Sequence, residues 1–205
     1  MSDQPAFERD LASIRNLMDR SVKFLSLSGL SGVLAGTYAL GGAYYASTLL
    51  PEPGTYTAEG ILQDRGLILH WLVVAVIVLV ASLLTGFIMS ARNAKKSGMT
   101  LWNETSRRLF VNLSVPLVAG GIFILAMVAR GHYGIIAESC LLFYGLALVN
   151  ASANLYDEVR WLGYSEIALG LLASVIPGHG LLFWSVGFGV LHIGYGAAMY
   201  FKYEK

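Results

Sequence analysis

Two residues near the end of the chain have the types and the placement to do proton chemistry: Glu166 and His192. Each sits in an apolar stretch, and the stretches meet at Pro177-Gly178-His179-Gly180. Proline and glycine at a four-residue turn send the chain straight back, so residues equally far from its centre lie at similar depth. Glu166 and His192 are such a pair. Small residues follow each at helical spacing, Gly163, Gly170 and Ser174 on one side and Ser185, Gly189 and Gly196 on the other. Stripes of this kind are where helices approach closely. A charge in hydrocarbon costs on the order of 3 kcal/mol unless paired or hydrated, so such groups persist for a reason. Adjacent carboxyl and imidazole groups can exchange a proton or hold a ligand or cation. The plainer alternative is a protonated Glu166 hydrogen-bonded to His192 or to a backbone carbonyl, simply holding two helices together.

The same counting carries the polar layer further. About Asp157-Glu158 as centre, Glu166 mirrors Asn150; about Gly131-His132, Asn150 mirrors Asn112. A second set, His70, His132, His179 and Glu138, falls near one surface of the layout. Three imidazoles with a carboxylate suffice for zinc or copper, and an open coordination position would make a metal-dependent hydrolase. Their spacing adds nothing, since the chain has no HxxxH or HExxH pattern. Haem does not fit, because His192 has no opposite axial histidine at its depth and no covalent attachment motif is present. The single Cys140 forms no internal disulfide.

Apolar helices must position these groups. Of 205 residues, 56% are hydrophobic and 13% charged, against about a quarter charged in soluble domains, and the mean hydropathy is +0.61. The expected fold is an all-α polytopic membrane protein. An amphipathic segment, 1–23, lies on the membrane, with Phe7, Leu11, Ile14, Leu17 and Met18 at helical spacing, followed by a six-transmembrane-helix bundle over 24–205. No cleavage site marks 1–23 as a signal peptide. The spans are predicted at about 24–47, 67–89 with a basic extension to 96, 101–128, 133–155, 161–176 and 180–201. The second and third are expected to form an antiparallel hairpin. The apolar part of the fifth covers only about 24 Å, so a re-entrant segment is the alternative there. No internal repeat is evident.

Basic residues set the expected orientation. With the N-terminus inside, Arg9, Arg15, Arg20, Lys23, Arg92, Lys95, Lys96, Arg107, Arg108, Arg160, Lys202 and Lys205 lie inside, against Arg65 and Arg130 outside. Both termini are therefore expected to be cytoplasmic, in a plasma (inner) membrane. A net charge of +1 leaves no basic face for nucleic acid. Three classes of function follow: a small-molecule or ion-responsive transporter, channel or sensor using Glu166 and His192; the metal-dependent hydrolase; and a scaffold or subunit that docks a membrane-protein partner or a second copy. The first is preferred, and it requires no enzyme chemistry.

Overall fold

The computed structural model of the protein describes residues 28–50, 64–96, 104–152 and 156–205. The amphipathic segment expected over 1–23 lies outside them, as does 51–63 between the first two helices. The described residues are almost wholly helical and contain no strand. In chain order they form α1 (Gly29–Thr48), α2 (Arg65–Lys96) and α3 (Glu104–Ala129). A short 3₁₀ turn, Tyr133–Ile135, leads into α4 (Ile136–Ala151). Then come α5 (Asp157–Val175) and α6 (Gly180–Tyr203). Within α6 the stretch Ser185–Leu191 is wound as a π-helix. The two tight reversals fall at Gly131 and Gly178, at φ +77° and +86°; this left-handed backbone favours glycine.

Among the described residues, four stretches are long and apolar enough to cross a membrane: Arg65–Lys96, Ser106–Ala129, Tyr133–Ala151 and Gly180–Tyr203. α1 and α5 fall short of that measure for different reasons. Glycine, serine, threonine and tyrosine dilute the aliphatic side chains of α1, and α5 opens on Asp157, Glu158 and Arg160. Phe87, Ile122 and Leu125 stand 64–69% exposed on the outside of the bundle, a surface that suits lipid and not water. By length and composition these are helices compatible with an integral membrane protein. At 1.5 Å per residue, the 32 residues of α2 reach about 48 Å, well beyond a hydrocarbon core of about 30 Å.

Packing follows the small residues, although the pairs they join differ from those expected. α4 packs most extensively on α5, and α1 packs along α6. At the first contact a Cβ on Gly145 would stand 2.7 Å from the Gly163 carbonyl oxygen, and one on Gly163 would stand 2.9 Å from that of Gly145. At the second, Gly196 presses on the backbone of Gly29, Gly32 and Val33, and Gly36 on the Gly189 carbonyl. The glycine stripe of α5 thus faces α4, and that of α6 faces α1. The α5 stripe also drifts from its expected line, burying Ala173 and leaving Ser174 exposed.

The expected α2–α3 hairpin does not pack as one. Among the described residues, α2 lies chiefly on α1 and α3 on α4, at opposite flanks of the bundle. The reason is local. Gly42 of α1 admits Val74 and Val78 of α2, and Gly120 of α3 receives Phe143 of α4. Neither Gly86 of α2 nor Gly121 of α3 has a neighbour within 4 Å of its Cβ position. Polar ties finish the bundle. Trp71 Nε1 donates to the Ala46 carbonyl at 3.0 Å, joining α2 to α1. Glu204, just past α6, accepts from Ser28 Oγ at 3.1 Å and from the Gly29 N–H. This carboxylate satisfies the free N-terminus of α1 in place of an ordinary cap.

Candidate functional site

α5 touches α6 along its length, and part of that contact is where Glu166 faces the π-helical stretch. Glu166 sits one turn from both Gly163 and Gly170, so the close α4–α5 contact carries its side chain into the interior, where its exposure is 0%. Gly187 makes room for it. A Cβ at that position would stand 2.5 Å from Glu166 Oε2 and would also collide with Leu141. The wide π turn places the His192 ring over the carbonyl five residues earlier, and Nδ1 lies 3.0 Å from Gly187 O. A carbonyl only accepts, so Nδ1 carries the hydrogen. Nε2 lies 2.8 Å from the Tyr144 hydroxyl of α4, and Tyr144 also stacks on the imidazole with ring centroids 5.4 Å apart.

Both charge states of His192 therefore have partners. The Tyr144 hydroxyl donates to Nε2 of a neutral ring, and by turning its hydrogen it accepts from an imidazolium. Glu166 is arranged differently. Its Oε1 lies 3.4 Å from His192 Nδ1, within ion-pair range, yet neither carboxyl oxygen receives a hydrogen bond among the described residues. A buried carboxyl with no donor is costly as an anion, and a proton or a passing cation relieves that cost. The arrangement is a three-helix junction: Tyr144 of α4, Glu166 of α5 and His192 of α6 around one imidazole.

Phe188 extends the cluster, 5.1 Å from the Tyr144 ring and 5.8 Å from His192, with Trp184 5.2 Å beyond it. These rings form a wall along the α6 side of the site. No protein-family model, no characterised protein and no solved structure matches the chain. What the site does must therefore be argued from its own atoms.

The other residues singled out from sequence go to different places. Asn150 and Asn112 come together, but as a tie between α4 and α3: the exposed Asn150 side-chain amide donates to the Asn112 backbone carbonyl at 2.7 Å. That bond is spent away from Glu166. His70, His132 and His179 are all exposed; His70 Nδ1 lies 2.7 Å from Gly66 O and His179 Nδ1 lies 3.2 Å from Pro177 O. Glu138 is buried instead, on the first turn of α4. Among the described residues no group of three or more His, Cys, Asp or Glu gathers to hold an ion, so zinc or copper at these histidines rests on the sequence alone.

Tyr144 is the member that sequence counting does not find. Its signal is faint, a hydroxyl-bearing ring beside Phe143 in a mostly apolar helix. Changing Tyr144 to Phe is expected to keep the ring stacking and to strip Nε2 of its partner. A buried group left unsatisfied costs about 1–3 kcal/mol, which thermal unfolding in detergent would register as a clearly lower midpoint. An unchanged midpoint would mean that the hydroxyl does not hold the imidazole.

Proposed function

We propose that the Tyr144, Glu166 and His192 cluster is a buried proton-exchange site, and that through it this membrane protein acts as a transporter, channel or sensor responsive to protons or to a small ligand. The observation that carries this reading is the Glu166 carboxyl: wholly buried, without a hydrogen-bond donor among the described residues, and 3.4 Å from an imidazole that has partners in either charge state. A purely structural acid would be expected to spend its oxygens on donors, as Glu204 does on Ser28 and Gly29. A purely structural histidine would not need a neighbour able to switch between donor and acceptor.

The wider layout supports such a role. All six helices are read as spans, α1 and α5 each burying a glycine- and alanine-bearing face against its neighbours and so crossing with less apolar sequence. Both termini are assigned to the cytoplasmic side of the plasma membrane, because Arg92, Lys95, Lys96, Arg160, Lys202 and Lys205 all belong to the end of the bundle away from Gly131 and Gly178. The site then lies at mid-depth, where a protonation event can bias how α4, α5 and α6 pack.

Infrared difference spectroscopy on the reconstituted protein tests the proposal. Between about pH 5 and about pH 9, a window that spans carboxyl and imidazole titration in proteins, a protonated-carboxyl band should grow and fade and should be missing from Glu166→Gln. A spectrum with no such band, or one that survives in the variant, removes the reading.

A further inference from the structure

A second carboxyl is buried near Glu166, with one of its two oxygens unpartnered among the described residues. Glu138 is only 6% exposed, and its Oε2 receives no hydrogen bond among the described residues. It stands on α4, toward the Pro177 end of the bundle. Three contacts locate it relative to the site. A Cβ on Gly170 would lie 3.1 Å from the Glu138 carbonyl oxygen, Gly180 stands beside Ala137, and Leu141 reaches Gly187 next to Glu166. Gly170 is four residues beyond Glu166 on α5, so the backbones of Glu138 and Glu166 are offset by about one helical turn, some 6 Å along the axis.

We infer that Glu138 is the relay by which protons reach Glu166 from the Pro177 end of the bundle. The inference rests on the proton-exchange reading of Glu166. Two buried acids whose backbones are offset by one turn in the junction of α4, α5 and α6, each with a carboxyl oxygen that receives no hydrogen bond among the described residues, suit a proton better than a metal ion. A metal ion needs several oxygen or nitrogen ligands, while the residues between these two acids are Leu141, Leu142, Gly170 and Gly187. A proton needs one carboxyl oxygen at each stop and a water or a side-chain movement between stops. No bond other than O–H is made or broken: Glu138 gives up its proton toward Glu166 and takes another from the aqueous end.

The titratable groups on the elements around Glu138 fit this order. Glu166 on α5 and His192 on α6 lie deeper, Cys140 and Tyr144 share its helix, and His132 and His179 are exposed in the turns at its own end. The relay therefore runs from an exposed, histidine-bearing rim to Glu138, then to Glu166 and His192.

A pH jump with rapid-scan infrared detection of the Glu166 band decides the matter. Glu138→Gln is expected to leave the final amplitude of that band unchanged and to slow its approach on the order of a hundredfold, the usual worth of a positioned proton-transfer group. An unchanged rate would overturn the relay, with protons reaching Glu166 by another route. Should Glu138→Gln fail to fold, Glu138→Asp poses the same question: a carboxyl drawn back by one methylene slows the approach severalfold, and a wild-type rate overturns the inference. A wild-type protein whose Glu166 band never moves with pH would instead remove the proton-exchange reading itself, and this inference with it.

Discussion

Leucine at Gly196, or at Gly145, is expected to abolish the folded protein in detergent. A Cβ at Gly196 would lie 2.7 Å from both the Gly29 carbonyl oxygen and the Val33 nitrogen. At Gly145 it would lie 2.7 Å from the Gly163 carbonyl oxygen and 2.9 Å from the Ile167 nitrogen. These obstacles are backbone, so no rotamer change clears them and the helices must separate. Overpacking a tight core costs about 1–3 kcal/mol when the surroundings can yield. Here α1 would leave α6, or α5 would leave α4, along whole contact lines, and the loss should exceed about 3 kcal/mol out of a total of about 5–15. Size-exclusion profiles and thermal midpoints would show it. Gly86→Ala and Gly121→Ala, which meet nothing within 4 Å, serve as controls and should stay within about 1 kcal/mol of wild type. A Gly196→Leu protein that elutes and melts like wild type would contradict the α1–α6 packing.

Glu166→Gln should have the opposite profile, a small effect on folding and a complete effect on response. The amide nearly matches the carboxyl in volume, so it fits the space that Gly187 leaves open. Replacing a buried ionisable group with a neutral one of similar shape is often tolerated and sometimes stabilising. The thermal midpoint is therefore expected to move little, while the pH-dependent carboxyl signal disappears. If the acid were only a fastener between α5 and α6, the same change would lower the midpoint and leave any pH response intact.

Much of this geometry could be read before any coordinates, because a tight turn is a ruler. Pro177 to Gly180 placed Glu166 and His192 at one depth, and the reversal at Gly131 did the same for Asn112 and Asn150. Gly180 opens α6 as expected, and α2 runs on through the basic extension as far as the residues described, to Lys96. Partner choice was not legible. A glycine stripe states that a backbone will come close but not whose, so the stripes of α5 and α6 seemed to face one another when they face α4 and α1. Nor did sequence reveal the π turn of α6, whose one extra residue per turn aims His192 at Gly187 and Tyr144. Its only trace is the Gly187 and Gly189 pair, which reads equally well as helix packing. Length and apolarity leave α1 and α5 aside because glycine, serine and tyrosine dilute the aliphatic residues of α1 and because Asp157, Glu158 and Arg160 open α5.

Nitrogen NMR of His192 reaches the central claim most directly. With His70, His132 and His179 replaced by glutamine, the single remaining imidazole reports its own tautomer and its neighbours. The geometry predicts a neutral ring protonated at Nδ1, held by Gly187 O and Tyr144, whose titration shifts when Glu166 becomes glutamine. A ring protonated at Nε2 and exchanging freely with water, or one indifferent to the loss of the Glu166 carboxyl, would show that the acid and the imidazole do not share a proton.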